Sequence, residues 1–151
     1  RGMTGSVTAP QEALAVWRPE TVTRLSEAGM QPQWSAVEPP ADLILPARTH
    51  VQVTRILREA VSNAIRHSGG RHCAVRIRFR EGALELNVQD DGRGLPAGAG
   101  VQRGHGLPNI ERRVRHLGGE YRFAKPPGGA TGTLLVVRIP LSPRTTQELT
   151  Q

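Results

Sequence analysis

A chain of 151 residues, 37% of them hydrophobic, is long enough for one domain with a core of its own. Apolar runs such as residues 134–137 fall far short of the roughly 18–20 residues of a membrane helix, and the opening residues lack the apolar stretch of a secretory signal, so a cytoplasmic chain with no membrane segment is expected. The net charge of +7 would attract a polyanion, yet the arginines are scattered and hardly interleaved with aromatic rings, which argues against nucleic acid as the partner.

The first ten and the last ten residues are polar and read as loose ends. Residues 13–28 have helical spacing through Leu14, Trp17, Val22 and Leu25, with Pro19 predicting a break or a fresh start and Gly29 an end. Residues 30–37 alternate around Trp34 and predict a strand in spite of Pro32. A loop follows at 38–42, and Pro46 marks another stop. Thr49 is placed to cap a helix over residues 50–67, whose Ile56, Leu57, Ala60, Val61, Ala64 and Ile65 form an apolar face. Ser68, Gly69 and Gly70 close it.

Cys73, Val75, Ile77 and Phe79 alternate with Arg76, Arg78 and Arg80, giving one buried and one wet strand face. Cys73 is the only cysteine, so it forms no internal disulfide and no thiolate-rich metal site, and a reducing cytosol suits it. After a turn at Glu81 and Gly82, Leu84, Leu86 and Val88 alternate with Glu85, Asn87 and Gln89. The two strands predict an antiparallel hairpin with arginines facing Glu85. Residues 91–106 form a glycine-rich loop, Pro108 opens a helix, and Gly118 and Gly119 end it. Two further strands are expected at 121–124 and 134–139, across a turn at 126–129. The expected fold class is α/β in the α+β sense: a two-layer sandwich of a mixed, mostly antiparallel sheet with helices on one face. Its expected divisions are a polar segment at 1–12, one domain at 13–141 and a tail at 142–151.

Three elements within this frame can carry chemistry. At about 100° per residue, Glu59, Asn63, Arg66 and His67 share one helical arc at the rim of the apolar face. A carboxylate, an amide oxygen and cations on one stripe suit a hydrated metal beside a phosphate chain. Mg²⁺ takes oxygen ligands and shares them with substrate phosphates, which makes Asn63 Oδ1 a candidate ligand. Glu59 can hold a metal-bound water or accept a proton. Asp90 then ends an alternating strand, followed by Gly92 and Gly94, whose small size lets a ligand approach the backbone. A carboxylate there can accept the exocyclic amine of adenine. Last come Gly104, His105 and Gly106, just before a helix start whose N–H groups favour anions. No Gly-Lys-Ser/Thr follows, so this is no P-loop, and a loop closing over a triphosphate fits better. His50, His72 and His116 show no metal-ligand spacing and read as surface or packing residues.

Residues 58–68, from Arg58-Glu59-Ala60 through Asn63 to Arg66-His67-Ser68, resemble the N box of bacterial sensor histidine kinases. Val88-Gln89-Asp90-Asp91-Gly92-Arg93-Gly94 resembles that family's first glycine box, and Gly104-His105-Gly106-Leu107, with Leu117-Gly118-Gly119 further on, its second. Gly132-Thr133 matches the closing Gly-Thr. The resemblance covers about residues 13–141 and is to the catalytic ATP-binding domain, in the subfamily paired with response regulators that carry a LuxR-type output domain. It implies the Bergerat fold shared with gyrase, with ATP and Mg²⁺ as cofactors. By position it implies that Asp90 binds adenine, Asn63 coordinates Mg²⁺ and Glu59 is the catalytic base. Arg66 and His67 would approach the phosphates. Gly92, Gly94, Gly104 and Gly106 would shape pocket and lid, with Thr133 beside the adenine contact; His105, which could touch phosphate, and Leu107 are counted with the nucleotide-binding residues. The implied partners are the dimerisation and phosphotransfer domain of a parent kinase and, through it, a response regulator.

The sequence departs from the family pattern in three places. The lid at 95–103 is short and holds no Phe-rich box; Pro108-Asn109-Ile110 stands where Gly-Met is more common; and the residues near the start of this sequence read as no phosphoacceptor-histidine helix. The chain is therefore expected to bind ATP without phosphorylating itself. The alternatives are an anti-sigma-factor-type serine kinase and a non-catalytic nucleotide-binding module.

Overall fold

The computed structural model describes residues 7–94 and 107–141. In chain order the elements are β1 (Val7–Thr8), α1 (Pro10–Glu27), β2 (Gln31–Ala36), β3 (Leu45–Pro46), α2 (Ala47–Asn63), a π-helical turn (Ala64–Ser68), β4 (His72–Arg80), β5 (Ala83–Asp90), α3 (Leu107–His116), β6 (Glu120–Ala124) and β7 (Thr133–Pro140). β2, β4, β5, β7 and β6 form a five-stranded sheet in that order; β2 runs parallel to β4 and every other pair is antiparallel. This is the expected mixed two-layer sandwich.

The hairpin at its centre follows from two residues. Glu81 and Gly82 both have positive φ, 54° and 72°, the primed turn whose twist matches a pair of strands. That turn sets the register Arg78↔Glu85 and Val75↔Val88, which sends Val75, Ile77, Phe79, Leu84, Leu86 and Val88 inward. On the outer face Glu85 lies 3.6–3.8 Å from Arg78, Arg80 and Arg138, as the sequence predicted for the first two.

Against the inner face pack Trp17 and Leu25 of α1, Val53, Ile56, Leu57, Ala60 and Val61 of α2, and Ile110 and Val114 of α3. Trp17 is fully buried, and its indole N–H donates to Thr54 Oγ1 at 2.8 Å. The Thr54 hydroxyl in turn donates to the backbone oxygen of His50. Trp17→Phe removes that donor and some packed volume. It is expected to cost about 1–2 kcal/mol in urea unfolding with an unchanged m-value.

Several boundaries correct the sequence reading. Pro19 does not interrupt α1, which runs through it. Pro19 and Ala15 are both exposed, so the carbonyl that loses its partner, that of Ala15, faces water. Thr49 does not cap α2: the helix starts at Ala47, Pro46 holds the cap position with φ −58°, and Thr49 is buried within the first turn. The expected loose start is corrected for residues 7–10, since Val7 and Thr8 pair with Pro46 and Leu45 and α1 begins at Pro10, while residues 1–6 lie outside the described residues. Finally, the helix read over 50–67 is regular only to Asn63 and widens into the π-helical turn before Gly69 (φ 70°) ends it. No helix among the described residues is long and apolar enough to cross a membrane.

Candidate functional site

Strand alternation fixes Asp90. Counting inward from Leu84, Leu86 and Val88, it is the next inner-face residue, half-buried at the end of β5. Directly opposite is Thr133, the first residue of β7. The Asp90 carboxylate accepts the Gly92 N–H at 2.9 Å and the backbone N–H of Thr133. Burial pushes its pKa above the ordinary 3.8; the Gly92 and Thr133 N–H groups pull it back, and the nearby charge of Asp91 adds a small upward push. The result is a carboxylate held in place by backbone and shielded from water, with accepting capacity left over.

The backbone crowds closely here. A Cβ on Gly92 would strike the carbonyl of Ser68, and one on Gly132 would strike the carbonyl of Asp90. Gly94, at φ 80°, faces the Gly132 carbonyl. The stretch after Asp90 is therefore threaded between the end of the π-helical turn and the start of β7. Arg93 N–H completes the join by donating to the Ser68 carbonyl at 2.8 Å.

That same turn ends the helix with the other predicted residues. Glu59 is half-buried on α2, Asn63 is its last residue, and Arg66 and His67 are exposed in the π-helical turn. Widening at Ala64 turns Arg66 and His67 away from the regular helical positions drawn from the sequence. Asn63 Oδ1 is shielded from solvent and has no hydrogen-bond partner among the described residues. A buried acceptor left in this state costs about 1–3 kcal/mol, so it is poised for a donor or a cation. Gly104, His105 and Gly106 lie outside the described residues; Leu107 opens α3.

Three supports escaped the sequence reading. Arg24 of α1 donates to Ser62 Oγ at 2.7 Å and to the Arg58 carbonyl at 3.3 Å, while Glu20 pairs with Arg58 Nε at 2.8 Å. These bonds brace α1 against the turn of α2 that carries Glu59. On the other side, Arg113 of α3 donates to Gln52 at 3.0 Å and Arg48 donates to the His116 carbonyl at 2.7 Å. Third, His72 is more than a surface residue: its Nδ1 lies 2.7 Å from Asp91 Oδ2. No local pattern announces such pairings, which join residues far apart in the chain. Cys73, opposite Asp90, is buried, and its thiol is pushed up to about 12 by that burial and by the charges of Asp90 and Asp91. It is inert as a nucleophile at neutral pH.

Residues 49–143 match the family described as histidine kinase-, DNA gyrase B- and HSP90-like ATPases. Among known proteins the chain is similar to the sensor histidine kinase LnrJ of Bacillus subtilis, 32% identical over 109 residues, and to the sensor protein VraS of Staphylococcus aureus, 30% identical over 101 residues. These alignments span 69% and 67% of the chain but only 26% and 28% of the relatives, so the chain corresponds to about a quarter of their length. The fold is that of the catalytic domain of histidine kinase ThkA, with a TM-score of 0.72 at 14% identity over 91% of this chain and 97% of that one. It also matches the histidine kinase domain of the blue-light-activated kinase of Erythrobacter litoralis, with a TM-score of 0.67 at 23% identity over 89% of this chain and 63% of that one. With the family match covering well over half of the residues, and the aspartate, glycines and amide-bearing helix set in a mixed sandwich, the chain belongs to the histidine kinase-, DNA gyrase B- and HSP90-like ATPase family.

Proposed function

We propose that this chain is the ATP-binding catalytic domain of a sensor histidine kinase. It binds ATP and supplies the γ-phosphoryl to a histidine on a separate dimerisation domain, for transfer to a response regulator, here one with a LuxR-type output domain. The observation that carries the reading is the Asp90 carboxylate, fixed by Gly92 and Thr133 N–H groups and joined through Ser68 to the helix that bears Glu59 and Asn63.

Each residue then has a task. Asp90 accepts the exocyclic amine of adenine and so selects that base. Arg66 and His67, exposed beyond Asn63, draw in the phosphates, and Glu59 receives the proton of the attacking group. The unpartnered, shielded Asn63 Oδ1 fits a hard cation such as Mg²⁺, with Asn63 as the protein ligand. When bound, the ion neutralises phosphate charge as the γ-phosphoryl leaves. Gly104, His105, Gly106 and Leu107 act as the closing segment.

Calorimetric titration with ATP, ADP and GTP, with and without Mg²⁺, tests the nucleotide reading. Adenine nucleotides are expected to bind and GTP is not; equal affinity for GTP rejects it. Radiolabelled ATP with a supplied phosphoacceptor domain should leave acid-labile phosphate, whereas acid-stable phosphate indicates a serine kinase. Asn63→Ala is expected to abolish the Mg²⁺-dependent part of nucleotide affinity. The apo melting temperature should hold or rise, because the substitution removes a shielded acceptor that has no partner. An unchanged metal dependence removes Asn63 from this role.

A further inference from the structure

The mechanism above leaves the second aspartate of the Asp90-Asp91 pair unused, although it makes more hydrogen bonds than the first. Asp91 is the first residue beyond β5, and its carboxylate bonds to Arg71 and His72 where that of Asp90 bonds to Gly92. Its Oδ1 accepts the N–H of Arg71 at 2.8 Å and that of His72 at 2.9 Å, and its Oδ2 lies 2.7 Å from His72 Nδ1. Its own N–H donates to the His72 carbonyl at 3.3 Å, and its carbonyl accepts the Thr131 hydroxyl at 3.3 Å. The carboxyl is held down at about 2, chiefly by the backbone N–H of His72, so it is ionised throughout the neutral range.

What this residue joins is more telling than the bonds themselves. Gly70, just past the helix that carries Asn63, packs so closely on Asp91 that a Cβ there would meet the Gly92 nitrogen at 2.7 Å. One side chain thus ties together the end of that helix, the start of β4 and the first step out of β5. The His72 and Asp91 side chains are 52% and 40% exposed, so solvent screening leaves the pair little direct stability to contribute. A cluster built this densely in water at so small a stability gain is explained by geometry. It sets the spacing between the base-recognising strand end and the amide-bearing helix.

We propose that Asp91 and His72 are positioning residues for the nucleotide site, clamping the Asp90 strand end to the helix of Asn63; this rests on the nucleotide-binding reading above. The test compares ATP and ADP affinities by calorimetry, with a thermal melt for each protein, in the wild type, Asp91→Ala, Asp91→Asn, His72→Ala and His72→Asn. Asp91→Ala is expected to weaken both nucleotides by a similar factor, roughly fivefold, about the worth of one ordinary hydrogen bond. Asp91→Asn keeps an oxygen for the two backbone N–H groups and should recover most of that affinity. His72→Ala should weaken binding less than Asp91→Ala, and His72→Asn, which restores a donor near Nδ1, should recover it.

Rescue by the conservative variants is the readout that a merely structural role does not move. A lower melting temperature with wild-type affinity in Asp91→Ala and His72→Ala overturns the proposal. Should Asp91→Ala fail to fold, the His72 pair decides alone, since that ring is exposed and its loss leaves the core intact. A wild type that binds neither nucleotide overturns the functional reading and this inference together, whereas wild-type binding with unaffected variants overturns this inference only.

Discussion

Replacing Asp90 by asparagine is expected to weaken ATP binding by about 10- to 150-fold, the worth of a charge-assisted hydrogen bond of roughly 1.5–3 kcal/mol. The amide keeps an oxygen for the Gly92 and Thr133 N–H groups, so the fold should remain as stable as before or gain slightly. A gain follows from the direction of the shift. Because burial raises the Asp90 pKa above 3.8, its contribution to stability is fully present below that pH and is lost as pH rises through the folded value. At neutral pH the apo protein therefore carries a charge that it would rather shed, and a nucleotide donor relieves that cost. Affinity of the wild type should accordingly fall on acidification at a pH above the ordinary aspartate range, while Asp90→Asn loses that dependence. Calorimetry at several pH values checks both arms. Undiminished affinity in Asp90→Asn removes the residue from base recognition.

Gly132→Ala should be the most damaging single methyl at any glycine among the described residues. At φ 117° no L side chain is comfortable, and its Cβ would lie inside contact distance of the Asp90 backbone carbonyl, which no rotamer change can relieve. The expected loss is about 3 kcal/mol or more, a fall in melting temperature of roughly 6–12 °C for a domain of this size. Gly118→Ala is the matched control: its φ is also positive, 69°, but nothing lies within 4 Å of the added methyl. That change is expected to cost only about 1–2 kcal/mol, the ordinary left-handed penalty. Equal losses in the two variants would show that crowding at Asp90 contributes nothing.

The sheet was legible because its signals are local. Alternation in 72–90 and a two-residue turn identified β4, β5 and their pairing without any long-range information. Period and glycine likewise placed α2 and its end within a few residues. The misreadings share a cause, which is tertiary context outweighing a local preference. Pro19 looked like a breaker, but on an exposed helix face the lost hydrogen bond can be replaced by water. Thr49 had the chemistry of a cap, yet Pro46 leaves β3 already turned toward a helix and Thr49 is drawn into the interior. The short β1–β3 pair has only two residues in each strand, too few to leave a periodic trace.

The candidate site divides in the same way. Asp90, Gly92, Gly94 and Thr133 were found as a motif, and the strand register brings Asp90 and Thr133 together. The π-helical turn was not foreseeable, because nothing in Ala64–Ser68 distinguishes it from a regular helix. Arg24, His72 and Arg113 escaped because each acts on a partner distant in sequence.

Both anchors of the connection at 94–107 are independent of what runs between them. Gly94 rests on Gly132 at one end, and at the other α3 is fastened to α2 through Arg113–Gln52 and Arg48–His116. Doubling the length of such a tethered connection costs only about 0.6 kcal/mol of closure entropy. Transplanting a longer segment from a relative between these two anchors should therefore alter how long a nucleotide stays without altering which base is chosen.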